Sequence, residues 1–382
     1  MDQVLACRPQ LVGVKPALEV VPGMRPDLIL HAAPPTSWDE LSPLLRSSLT
    51  AAAEFEGLSP REAELGAAQD FGSMAGGAGA ITASTPVVVI EDAASGRRAF
   101  HFLMEGFGRT LILGMTGDDV FECLRFLRDD LAPALDAAVV ELDGIDCDEI
   151  MIEALRRGDE LHNRNAAATS MLAERIAPGL ARTRIGADLQ ERLFNFLHGN
   201  PQFFVAVSLA ASKLMLDAAH DVAGSTLVTA IGANGRDCGI KLAGLGDAWF
   251  TAPAEVPHGA ARNDAGPACG DSLLVECAGL GASVLPAAPA LWPALGVDDK
   301  RAHQIYENAR ELAFAEHPRL RVPALDNAGA PVGVDARLVV ETEKRPIIDI
   351  VMIHREPGRG MLGLGLTSPP IACFEQALRA LG

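Results

Sequence analysis

The sequence is short of positive charge. Of its 382 residues, 32 are Lys or Arg and 50 are Asp or Glu, a formal net charge of −18 at pH 7. So acidic a chain repels phosphodiester backbones, which argues against general nucleic-acid binding. It also offers no basic face to an anionic membrane. Aromatic residues make up 5%, too few for base-stacking platforms. The seven cysteines are odd in number, scattered, and never spaced as C-x-x-C. Neither a disulfide framework nor a thiolate zinc site is signalled. No basic or apolar leader follows Met1-Asp2-Gln3, so the expectation is a cytoplasmic protein. Residues 277–297 carry no charge and would span a bilayer by length, but Pro286, Pro289 and Pro293 interrupt any continuous helix. A buried, broken helical stretch is expected there, and no membrane contact.

Familiar signatures are missing too. There is no complete G-x-x-x-x-G-K-[ST], no G-x-G-x-x-G that opens a helix (Gly358-x-Gly360-x-x-Gly363 leads into a strand-like run), no H-E-x-x-H and no G-x-S-x-G. The common ATPase, dinucleotide-binding, zincin and serine-hydrolase readings lose their support.

What is present suits a large folded chain. Hydrophobic residues are 49% and charged residues 21%, enough apolar surface for two or three domains of about 100–200 residues. Residues 1–115 alternate short apolar runs with Gly and Pro, reading as an N-terminal α/β domain. Expected there are strands at 28–31 and 86–91, a helix at 38–55 capped by Ser37, and a glycine-rich loop at 72–79. Residues 116–222 show apolar spacing of three and four, a helical domain that includes one helical pattern over 149–177. Strand signals return in residues 223–382, a C-terminal α+β domain. Asn234-Gly235 marks a hairpin, while 273–277, 339–341 and 347–354 read as strands. The fold class expected is α+β and multi-domain, two mixed α/β units separated by a helical domain.

The densest polar cluster is Gly158-Asp159-Glu160-Leu161-His162-Asn163-Arg164-Asn165. On a helix, Asp159, His162 and Asn163 share a face, so Asp159 would orient His162 as a general acid/base. Arg164 would be a fork for carboxylate or phosphate, and Asn165 a further donor. The alternative is a solvated, salt-bridged face. Asn200 sits where it can cap a helix or help hold an anion. Lys213 is a lone cation in an apolar helix. Gly244 and Gly246 precede Asp247 in a loop able to present backbone N–H groups. Glu276 ends an apolar run and is costly to bury unpartnered, so it is either a salt-bridged core acid or a site acid. His31 ends a strand before Ala32-Ala33-Pro34-Pro35.

Several of these segments carry a resemblance. Gly158-Asp159-x-x-His162-Asn163-Arg164-Asn165, Gly199-Asn200-x-x-Phe203-Phe204, Gly244-Leu245-Gly246-Asp247-x-Trp249-Phe250 and His354-x-Glu356-Pro357-Gly358 resemble the YlbE-like family. So do His31-Ala32-x-Pro34-Pro35-x-x-Trp38 and Val339-Val340-Glu341-Thr342, over about residues 10–380. The resemblance implies a subunit of an oxamate carbamoyltransferase in allantoin breakdown. That activity interconverts oxalurate plus phosphate with oxamate plus carbamoyl phosphate, alongside FdrA-like and YlbF-like partner subunits. A small anionic amide or carboxylate is then the substrate. Members typically carry histidines before a Met-Ala-Gly loop, whereas Gln69-Asp70-Phe71-Gly72-Ser73 precedes Met74-Ala75-Gly76 here. That departure favours the alternative of a non-catalytic assembly or anion-binding subunit. Under the enzymatic reading, His162, Asp159 and Glu276 are the catalytic candidates. His31, Asn163, Arg164, Asn165, Asn200, Lys213, Gly244, Gly246 and Asp247 bind substrate. The cofactor is left open, no metal is assigned, and a His-plus-carboxylate metal site from His31, His162, Asp247 and Glu276 is conceivable in space but not demonstrated by their spacing; a homo-oligomer is compatible with the sequence.

Overall fold

The computed structural model describes residues 1–106 and 108–382. The first sheet has five strands in the spatial order Ser73–Met74, Arg98–Phe102, Pro86–Asp92, Pro9–Pro16, Ile145–Asp146, with the consecutive β-branched run Val87–Ile90 at its centre. The last of these comes from the helical segment and pairs Ile145 with Leu11, tying that segment to the N-terminal unit. A second sheet orders Phe250–Pro253, Asp237–Leu242, Val228–Asn234, Cys269–Gly270. Its central hairpin turns at Asn234-Gly235 as the sequence signalled, with Gly235 at φ +79°. Three smaller sheets complete the α+β fold: Glu64–Ala67 with Leu28–His31 and Ala80–Ile81, and two hairpins, Ala313–Val322/Ala328–Val334 and Ile348–Ile353/Met361–Thr367.

The Val205–Asp217 helix is apolar on every side, and each residue from Val205 to Leu216 is buried. It packs on the Arg98–Phe102 and Pro86–Asp92 strands and on the Asp271–Ala278 helical turns. One hydrophobic core runs from Val4 to Ala377 through all three sequence segments, and a smaller one gathers around Leu285, Leu291 and Ile305.

Four elements differ from the sequence reading. The pattern at 149–177 is two helices, Cys147–Arg156 and Ala166–Arg182, parted by a loop in which Gly158 (φ +91°) and Leu161 (φ +71°) reverse the chain. The run at 273–277 is not a strand but part of 3-10 turns over Asp271–Ala278. Every residue there is buried, so the sequence shows no alternation that separates strand from helix. Residues 339–341 lie in the Ala336–Thr342 helix, whose cap Asp335 accepts from Arg337 N. The helix expected at 38–55 is Pro43–Glu56, capped by Ser42 rather than Ser37 (Leu45 N to Ser42 Oγ, 3.2 Å). Residues 277–297 form short 3-10 turns, buried as far as Ala288, and one brief, partly exposed helix. No helix among the described residues is long and apolar enough to cross a membrane.

Candidate functional site

The loop at 158–165 is held by its own carboxylate. Glu160, fully buried, accepts from the backbone N–H groups of His162, Asn163 and Arg164. Asn165 donates to the His162 carbonyl (2.8 Å) and to Gln202 Oε1 (2.7 Å), and Gln202 donates to the Asn163 carbonyl. The loop is therefore rigid, and it projects the His162 ring against two acids from distant segments. Nδ1 of His162 lies 3.1 Å from Glu276 Oε1 and 3.4 Å from Asp349 Oδ1. Asn163 Nδ2 donates to the other Asp349 oxygen at 2.7 Å. Glu276 is carried by the 3-10 turns and Asp349 by the Ile348–Ile353 strand.

All three ionisable groups are buried, so electrostatics here are strong. Burial opposes charge on His162, but the Glu276 and Asp349 carboxylates outweigh it and hold the imidazole well above its ordinary value. Burial pushes Glu276 up to about 8, with His162 opposing. Burial likewise works against ionised Asp349, yet His162 and the Asn163 amide hold it down at about 2.

His162, Asn163 and Gln202 face a cavity of about 70 Å³, walled by Gly76, Gly77 and Met104, by apolar residues of the Val205–Asp217 helix, and by Ile350. With Nδ1 engaged by the acids, Nε2 is the ring atom available to a ligand, and the Asn163 and Gln202 side chains lie beside it. No Lys or Arg lines this cavity among the described residues.

The opposite wall is fixed by a second buried acid. Asp271 accepts from Ala33 N, Ala75 N and Gln69 Nε2, each at 2.8 Å. Gln69, in the segment where the resemblance placed histidines, also donates to the Ile231 carbonyl at 2.8 Å. Its work here is to hold the Met74–Gly77 stretch in place.

Sequence reasoning singled out His162, Asn163 and Glu276, which the structure brings together, and it expected Asn165 as a substrate donor on a helix, whereas Asn165 lies in the loop and supports its backbone. The other candidates lie elsewhere. Asp159 does not orient His162: its Oδ2 accepts from Ala168 N (2.9 Å) at the start of the Ala166–Arg182 helix, and its Oδ1 pairs with Arg164 Nε (3.4 Å). Arg164 thereby turns away from the cavity, donating also to the Gly158 carbonyl at 3.1 Å. Asn200 braces the wall by donating to the Met104 carbonyl at 2.8 Å. Lys213 is buried against Asp217 at 2.6 Å. Asp247 is exposed and pairs with Lys241 (3.2 Å) and His220 (3.3 Å). Gly244 N donates to the Ser225 carbonyl at 3.0 Å, and Gly246 takes φ +57° in the same turn. His31 is fully buried with Nδ1 2.7 Å from the Ala32 carbonyl, and burial lowers its pKa to about 4. It does not line the cavity.

Asp349, Glu160, Gln202 and Asp271 were missed. For Asp349 the signal was available: an acid inside the run Ile347-Ile348-Asp349-Ile350-Val351, the same anomaly that singled out Glu276. Glu160 was visible only as part of a polar cluster, because its partners are backbone groups.

Glu105 precedes Gly106 in the cavity wall and accepts from Leu111 N (2.7 Å) and Ile112 N (3.3 Å). Burial raises it from 4.5 to about 7 despite those donors. A raised acid stabilises the fold fully below its unfolded pKa and loses that contribution as pH rises through the folded value. Stability is therefore expected to fall between about pH 4.5 and 7 from this group, by up to about 3 kcal/mol. Glu105→Gln should flatten that slope in denaturation midpoints measured from pH 4.5 to 8. An unchanged slope would show that Glu105 does not titrate there.

A sequence profile described as "Oxamate carbamoyltransferase subunit AllG" matches residues 63–272. An Escherichia coli (strain K12) protein named "Oxamate carbamoyltransferase subunit AllG" is 34% identical, covering 100% of this chain and 96% of that protein. "Uncharacterized protein YahG" of the same strain is 31% identical over 99% of this chain and 84% of its own length. A crystal structure of a conserved protein of unknown function from Enterococcus faecalis V583 superposes with a TM-score of 0.97 at 33% identity, covering 100% of this chain and 95% of that one. With both the profile and a full-length relative in agreement, the chain belongs to the oxamate carbamoyltransferase subunit AllG family.

Proposed function

We propose that this chain is a subunit of an oxamate carbamoyltransferase and that the His162 cavity takes the small amide substrate. The reaction is carbamoyl transfer between oxalurate plus phosphate and oxamate plus carbamoyl phosphate, in cytoplasmic purine (allantoin) catabolism. The FdrA-like and YlbF-like chains are the partner subunits. The observation that carries the assignment is one buried imidazole, held between two carboxylates, at the edge of a small cavity with amide side chains beside it.

The chemistry follows from those groups. A carbamoyl group leaving an amide nitrogen needs a donor at its oxygen and a proton for the departing nitrogen. His162 can supply a proton, and the Asn163 and Gln202 side chains can hydrogen-bond the amide. The carboxylate and phosphate need positive charge, which neither Arg164 nor Lys213 brings to the cavity, since each is paired with an acid of its own.

The test is reconstitution. The purified chain mixed with its FdrA-like and YlbF-like partners, oxalurate and phosphate should yield carbamoyl phosphate. The yield should depend on this chain. Full turnover by the partners alone would overturn the reading.

A further inference from the structure

We infer that His162 Nδ1, Glu276 Oε1 and Asp349 Oδ1 form a binding site for one divalent transition-metal cation, adjoining the cavity that His162 lines. This deepens the proposed function and rests on reading that cavity as the ligand site.

The donor set comes first. One imidazole nitrogen and two carboxylate oxygens from three separate segments all lie within 4.8 Å of one another. Nδ1 is 3.1 and 3.4 Å from the two oxygens. Ligands bound at roughly 2.0–2.2 Å in a tetrahedron sit about 3.3–3.6 Å apart, so the present spacing needs little rearrangement. One nitrogen with two oxygens suits zinc and its neighbours better than calcium or magnesium, which favour all-oxygen sites.

The second observation is independent of spacing. Asp349 Oδ1 has no hydrogen bond although Asp349 is fully buried, only the ion-pair contact to His162 at 3.4 Å; Glu276 Oε2 is likewise buried and without a hydrogen bond. Buried carboxylate oxygens without hydrogen bonds are costly, and a divalent cation would complete them more fully than one imidazole does. The space beside them is kept open by a glycine. A Cβ on Gly281 would stand 2.5 Å from Glu276 Oε1 and 3.2 Å from Asp349 Oδ1, and Gly281 has φ +60°. The surrounding hydrogen bonds orient the donors as an outer shell does: Asn163 holds the far oxygen of Asp349, and Ala282 N donates to Glu276 at 3.3 Å.

The third is the cavity's lack of any Lys or Arg among the described residues. A site for an anionic amide and phosphate needs positive charge, and a divalent cation bound to His162 would add it next to the cavity.

The experiment uses zinc alone. The chain is stripped with EDTA, dialysed and titrated with Zn²⁺ by calorimetry, without substrate or partners. One site per chain is expected, with affinity reduced at least about 100-fold in Glu276→Gln and in Asp349→Asn. Because either variant can fold poorly, the wild-type protein is also crystallised with Zn²⁺, and anomalous scattering locates the ion. A peak between the three donor atoms supports the site. Zinc found only elsewhere, such as near His220 and Asp247, or bound equally by wild type and both variants, overturns it. These readouts involve no turnover, so failure of carbamoyl transfer leaves the metal site standing, and failure of zinc binding leaves the transferase reading to its own assay.

Discussion

Asp271→Ala is expected to lower the free energy of unfolding by about 3–5 kcal/mol, the largest stability effect of any single substitution argued for this chain. Three buried donors converge on that carboxylate: Ala33 N, Ala75 N and Gln69 Nε2. Each would lose its acceptor, and an unsatisfied buried donor costs about 1–3 kcal/mol. Water cannot easily compensate, since Asp271 has no exposed surface. Asp271→Asn should cost less, because its carbonyl oxygen can still serve Ala33 and Gln69 while its NH₂ meets only the Ala75 N–H head-on. Denaturant midpoints at constant m-value would measure both. A loss below about 1 kcal/mol for the alanine variant would mean that the donors find other partners. The consequence reaches the cavity. Asp271 N donates to the Ala75 carbonyl at 2.9 Å, and a Cβ on Gly270 would approach Gly77 N to 2.7 Å. The glycine wall is thus set by the same contacts, and a loosened Asp271 should weaken ligand binding even in molecules that remain folded.

The fold's broad organisation was legible because it rests on patterns within short windows. β-branched runs announced the Pro86–Asp92 strand, Asn234-Gly235 announced the hairpin, and apolar spacing of three and four over 202–220 announced the Val205–Asp217 helix. Local patterns failed where tertiary surroundings decide. The 3-10 turns at Asp271–Ala278 are buried on every side, and a continuous apolar run then fits strand and helix equally. The break at 158–165 depends on Glu160 capturing three backbone N–H groups, an interaction absent from any side-chain periodicity. That break explains the fate of Asp159. Helical spacing placed it on the His162 face, but in a loop the two side chains diverge, and Asp159 serves the following helix instead. Glu276 was recognisable as an expensive acid in an apolar run, yet its partner was not, because 114 residues separate it from His162. Pairing at such separation leaves no mark in one sequence.

His162→Ala should reduce kcat of the reconstituted complex by about 10²–10⁴-fold, the range for loss of a positioned proton donor. The argument is geometric. His162 is the one His, Asp, Glu, Lys or Arg among the described residues that line the cavity, and its backbone is fixed by Glu160 and Asn165. Its removal also leaves Glu276 and Asp349 facing each other without the nitrogen that separates their charge, so the variant must be checked by its melting curve before kinetics are read. His162→Gln, which keeps a polar side chain at the position, serves as the second variant and should recover stability without recovering turnover. Asp159→Ala provides the contrast. It removes an acceptor at the start of the Ala166–Arg182 helix, and its effect should register in stability, by about 0.5–2 kcal/mol. Equal losses of kcat in Asp159→Ala and His162→Ala, with both melting like wild type, would return Asp159 to the role of orienting the ring. A His162→Ala complex that turns over at the wild-type rate would remove the buried imidazole, and with it the cavity, from the chemistry.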